Sequence, residues 1–183
     1  MKKGLIITML LISVILTGCS TKGEIETKEE EKLSFDFSHT EIVSNLEEWL
    51  IDFALIGVYD GNEKPEKIAT YTSITDVFNT DKSNIDAMIH YQFTYDDTTD
   101  KVSYIHFFMD RNETKAAERY LYHIYSIAEC IEPSVNTDDI SATMEKGFNE
   151  YDFAIYKGKN FELNVSRSEE YFSASFTPIK KGE

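Results

Sequence analysis

The chain has 183 residues, with 33 acidic against 18 basic side chains for a formal net charge of −15, and is 42% hydrophobic and 13% aromatic. That balance belongs to a globular chain with one main domain and excludes collagenous and fully disordered classes. Such acidity argues against nucleic acid and against anionic headgroups as partners, because both are held by clustered Lys and Arg.

Met1 is followed by Lys2 and Lys3 and then by an apolar run from Leu5 to Leu16 broken only by Thr8 and Ser13. The run is too short for the roughly 20 residues of a spanning helix and has the build of a signal-peptide core. It ends in Leu16, Thr17, Gly18 and Cys19, an apolar residue and two small ones before Cys, which resembles the lipobox of bacterial lipoprotein precursors. The resemblance covers residues 1–19 alone. It implies that the Cys19 thiol carries a diacylglycerol, that residues 1–18 are removed, and that the protein sits on the outer face of a cell membrane, anchored by lipid without crossing it. Two acyl chains satisfy the two-signal requirement for lasting attachment. Loss of residues 1–18 removes two lysines and leaves 165 residues at −17.

Residues 19–34 are the lipidated Cys and, from Ser20 to Ser34, a segment with five Glu and three Lys that reads as a solvated tether reaching about 50 Å when extended. Residues 35–183 then hold 28 acidic and 13 basic side chains. The acidity therefore belongs to the folded domain.

Within that domain Ser38 and Glu41 match a capping box, and Ile42, Leu46, Trp49, Leu50 and Phe53 recur at helical spacing, which predicts a helix over 39–56. Asp60, Gly61, Asn62 and Pro65 mark a loop before a strand to about 74. Two strands over 86–95 and 101–110 flank the turn DDTTD as a hairpin. A wide apolar face over 113–131, carried by Tyr120, Leu121, Ile124 and Ile127 among others, predicts a helix lying on a sheet, and 138–149 a shorter one. Three strands follow at 151–157, 160–166 and 171–178. Their alternation turns Tyr151, Phe153, Ile155, Phe161, Leu163, Val165, Phe172, Ala174 and Phe176 inward. The expected fold is α+β, an antiparallel sheet with helices on one face, in which a helix-then-strands unit recurs as in tandem helix-plus-sheet proteins.

The chain contains no GxSxG, GxxxxGK[ST], HExxH, CxxC or GxGxxG pattern, so hydrolase, nucleotide-binding and thiol-redox readings lose their usual support. Cys130 is read as a small buried thiol. His90 and His106 lie on opposite arms of the hairpin. A five-residue loop sets them face to face and a four-residue loop separates them, and only the first register, with Asp110 or Asp86 as a third ligand, begins to resemble a zinc site. No metal and no cofactor is expected. Tyr122, Tyr125 and Tyr171 are the candidate contact residues, because tyrosine buries its ring while keeping its hydroxyl wet. The expectation is a membrane-anchored extracytoplasmic binding module for a cationic peptide or protein rather than an enzyme. The alternatives are an accessory subunit of an envelope complex and an enzyme with an unrecognised site.

Overall fold

In the computed structural model, which describes residues 32–82, 88–112 and 115–180, Ser38 opens the first helix as its neighbours predict. Its hydroxyl accepts the Glu41 amide at 3.1 Å while the Glu41 carboxylate accepts the Ser38 amide at 2.7 Å, and this reciprocal cap starts α1 (His39–Glu47). The leader, the lipobox, most of the tether, Asp86 and Glu113 lie outside the described residues.

Helix α1 buries Ile42, Val43 and Leu46 and stops at Glu47, well short of 56. Leu50 takes the left-handed conformation at φ 59°, turning the chain so that Ile51 is buried and 52–60 becomes β1 (Asp52–Asp60). The spacing of Trp49, Leu50 and Phe53 satisfies helix and strand alike over so short a run. Pairing along β2 (Glu66–Thr75) decides for strand, with one extra residue, Ile56, bulged between Leu55 and Gly57.

The remaining elements are β3 (Ile89–Asp96), β4 (Val102–Asp110), α2 (Ala116–Ile131), α3 (Thr137–Glu150), β5 (Phe153–Lys157), β6 (Phe161–Arg167) and β7 (Tyr171–Pro178). All seven strands form one antiparallel sheet in the order β1-β2-β3-β4-β7-β6-β5. The fold is α+β, with the helices packed on one face. The two helix-then-strands halves join where β4 pairs β7, with Phe107 opposite Ala174. Tyr91, Phe93, Ile105, Phe107, Leu163 and Phe176 point inward without exposed surface, each contributing about 1.5–3 kcal/mol by leaving water. Tyr120 of α2 stacks on Phe172 at 4.8 Å and meets Phe107 edge-on at 5.6 Å. Its hydroxyl donates to the Ser173 carbonyl, fastening the helix across the β4–β7 seam.

Strands β6 and β7 alternate as expected, but β5 is inverted. Tyr151, Phe153 and Ile155 face solvent, at 65%, 51% and 48% exposure, while Ala154 is buried. The cause is the close approach of α3. A Cβ at Gly147 would lie 2.5 Å from the Ala154 Cβ and 2.4 Å from the Phe153 carbonyl, so only a small side chain fits beneath the helix. Asp152, left-handed at φ 58°, sets the phase. Glu132, buried just past α2, accepts the Lys159 and Asn160 amides at 2.8 and 3.2 Å and so holds the β5–β6 turn. Among the described residues no helix is long and apolar enough to cross a membrane.

Leu50 carries its strain on a side chain that is 68% exposed, so Leu50→Gly should raise stability by about 1 kcal/mol through relief of the left-handed penalty. Urea unfolding of the two proteins measures the gain.

Candidate functional site

Directly after β2, Asp76 turns its carboxylate into the protein. One oxygen accepts the amides of Phe78 and Asn79 at 2.8 and 2.9 Å, closing the turn by which the chain leaves the sheet. The other accepts Arg119 Nε at 2.7 Å and His123 Nε2 at 3.0 Å, two donors one helical turn apart on α2. The far side of the imidazole, Nδ1, meets the Tyr91 hydroxyl of β3. Tyr91 and His123 have no exposed surface, and Arg119 and Asp76 keep only 1% and 2%.

Burial opposes ionisation of Asp76, yet the hydrogen bonds and charges of His123 and Arg119 outweigh it and hold the carboxyl far below the ordinary carboxylate range. Burial pushes the His123 imidazole below its usual value, with Asp76 pulling the other way and Arg119 adding to the depression. Burial likewise raises the Tyr91 hydroxyl well above its ordinary range. The consistent assignment is a neutral imidazole that donates from Nε2 to Asp76 and accepts at Nδ1 from Tyr91. Hydroxyl, imidazole and carboxylate stand in the order that nucleophilic triads use. Here all three are sealed from solvent, so the arrangement serves to clamp β2, β3 and α2 together. Its traces in the sequence are Arg119 and His123 on the apolar side of a helix, of which the cation requires a buried acid.

The uncovered face of the sheet follows from the register. One row runs Phe153, Ser166, Ser173, Phe108, His90, Thr72, and the next Ile155, Asn164, Ser175, His106, Gln92, Thr70. Small polar side chains on β6 and β7 thus form a trough between an apolar rim on β5 and an aromatic rim on β4. Tyr104, His106 and Phe108 line up along β4, and Tyr171 meets Phe108 edge-on at 6.1 Å. His90 pairs Phe108 and Gln92 pairs His106, so the two histidines share a face but stand out of step, in neither of the two expected registers. A register shift between Thr94 and Tyr95 produces the offset. His106 Nε2 lies 2.9 Å from the Ser173 hydroxyl, and burial lowers its pKa. Among the described residues no three His, Cys, Asp or Glu side chains converge as metal ligands.

The three candidate tyrosines do not form one patch. Tyr171 stands on the uncovered sheet face, 46% exposed. Tyr122 and Tyr125 lie on α2, half-buried, where the first donates to the Trp49 carbonyl and the second bonds the Ser141 hydroxyl of α3. Cys130 is a free, half-buried thiol that burial pushes up to about 11, which leaves it protonated and unreactive at neutral pH.

The three helices are predominantly acidic. Glu41 and Glu47 in α1, Glu118 and Glu129 in α2, and Asp138, Asp139, Glu145 and Glu150 in α3 face two basic residues, Arg119 and Lys146. Arg119 is buried against Asp76, so Lys146 is the helical cation open to water. Between α2 and α3 runs a groove of about 310 Å³ lined by Ala117, Tyr120, Leu121, Ser141, Met144, Glu145, Phe148, Arg167 and Phe172. The Tyr125–Ser141 bond ties α2 to α3 beside it.

Removing the carboxylate in Asp76→Ala strands a buried guanidinium and should cost about 3–5 kcal/mol in urea unfolding, whereas Asp76→Asn with Arg119→Met, which removes both charges and keeps an acceptor for the Phe78 and Asn79 amides, should recover most of that loss. Protons add a second test. His123 and Asp76 both bind them more readily in the unfolded chain, so stability rises with pH. The His123 contribution is complete above its unfolded value of 6.5 and fades as the pH falls below it; the Asp76 contribution fades in turn below 3.8. His123→Gln should therefore lose part of the stability difference between about pH 7.5 and 5 that the parent protein shows. The chain matches no family model, no curated protein and no solved structure.

Proposed function

We propose that the protein is an extracytoplasmic binding module, anchored to the membrane through lipid on Cys19, that captures a cationic peptide or protein on its helical layer. The observation that carries this reading is the segregation of charge. Eight of the ten ionisable Asp, Glu, Lys and Arg residues in the three helices are acids, and one of the two bases is buried in an ion pair. A surface of one sign focuses its field and raises the encounter rate with an oppositely charged partner. Anchoring rests on the Leu16-Thr17-Gly18-Cys19 pattern, and the charged segment that follows supplies reach.

A second reading, docking to an envelope complex as an accessory subunit, draws on the uncovered sheet face, where Phe153, Ile155 and Tyr171 are about half exposed. It differs in its response to salt. Capture through the acidic layer should weaken about tenfold or more between roughly 50 and 500 mM salt, as exposed charges are screened. Capture that ignores salt and is lost in Ile155→Asp would support the accessory reading instead. Cys19→Ser should release the protein from the membrane fraction, and mass spectrometry of the parent should find diacylglycerol on Cys19; an unmodified Cys19 in the membrane-bound protein would overturn the anchor.

A further inference from the structure

The groove between α2 and α3 combines two chemistries that the rest of the helical layer keeps apart. Its floor is apolar, built from Leu121, Met144, Phe148 and Phe172, and Glu145 stands on its wall. Glu118 is exposed on α2 beside Ala117, and Asp138 and Asp139 begin α3. The one cation on the wall, Arg167, is already engaged. It donates to Asp152 at 2.6 Å and to the Phe148 carbonyl, and lies over the Phe148 ring at 5.0 Å. Arg111 lies over the Phe172 ring at 5.6 Å, and Lys115 and Lys146 are exposed on the flanking helices, so the four acids Glu118, Asp138, Asp139 and Glu145 exceed these three cations by one.

At about 310 Å³ the groove sits at the lower bound of small-molecule pockets, which suits a few inserted side chains better than a whole ligand. Its lining runs from Ala117 to Leu121 on α2 and from Ser141 to Phe148 on α3, about two turns of helix. Met144 adds an adaptable floor that accepts varied apolar shapes.

We infer that this groove takes an amphipathic cationic peptide, whose apolar side chains enter the slot over Leu121 and Met144 while its Lys or Arg residues meet the acids of α2 and α3. The inference rests on the reading of the helical layer as the capture surface and adds what electrostatics alone does not supply, a choice among cations by the pattern of their apolar residues. Charge steers the encounter, and apolar insertion sets how long the complex lasts.

The test uses the folded protein and two synthetic Leu/Lys peptides of about 18 residues with identical composition, one amphipathic as a helix and one scrambled so that no apolar face forms. Fluorescence anisotropy at low salt should show the amphipathic peptide binding at least about tenfold more tightly. Ala117→Phe, which fills the groove from an exposed position, should bring the amphipathic peptide down to the affinity of the scrambled one and leave the scrambled one unchanged. Ala142→Phe, exposed on α3 and outside the groove lining, should alter neither. Equal affinity of the two peptides for the parent protein would overturn the groove while leaving electrostatic capture intact. Failure of both to bind at low salt would overturn electrostatic capture itself. An unchanged preference in Ala117→Phe would overturn the assignment to this groove.

Discussion

A guanidinium shut away from water on the inner face of a helix has to be neutralised, and much of this structure is arranged around meeting that demand. Asp76 supplies the charge, and because it sits directly after β2 while Arg119 and His123 sit on α2, the pair fixes where the helix lies over the sheet. Tyr91, on the strand next to β2, completes the arrangement through the imidazole. Each polar atom so satisfied also constrains direction, which apolar packing by itself leaves loose. Replacing the pair by neutral residues that keep an acceptor for the Phe78 and Asn79 amides is expected to be tolerated energetically; what the charged version adds is a single orientation of α2.

That orientation divides the molecule into two faces of different character. The helical layer is acidic, with an apolar groove between α2 and α3. The opposite face of the sheet keeps its charges, Glu66, Asp96, Asp110, Lys157 and Glu162, toward the strand ends and presents hydroxyls between aromatic and aliphatic rims. Net charge reports none of this, since −15 is a sum over both. The proposed capture of a cationic partner depends on where the acids sit, and the three helices place eight of them on the side away from the Ser and Thr trough.

Local signals in the sequence identified the elements whose geometry is local. The capping box at Ser38 and Glu41, the alternation along β6 and β7, and the α3 boundaries rest on hydrogen bonds or side-chain periods within a few residues. Strand β1 stayed hidden because Trp49, Leu50 and Phe53 satisfy both periods, and only β2, supplied from further along the chain, discriminates between them. The face of β5 was misread because its phase depends on one left-handed residue, Asp152, and on a helix backbone lying against Ala154. The Asp76 cluster joins residues 32 to 47 positions apart, and its local traces are Arg119 and His123 among apolar neighbours. The offset of His90 and His106 came from a register shift that turn length does not reveal.

The bulge at Ile56 bears on how copies of this protein tolerate one another. β1 is an outer strand with Leu55, Ile56, Val58 and Tyr59 about half exposed, the kind of edge that recruits further strands from neighbouring molecules. The extra residue breaks the outward row of amides and carbonyls near its middle, leaving two stretches too short to template a lasting ladder. Asp52 and Asp60 at its two ends would face each other if two copies paired antiparallel. Molecules crowded side by side on a surface can therefore collide along this edge without nucleating a fibril, so high local density is compatible with staying folded and separate.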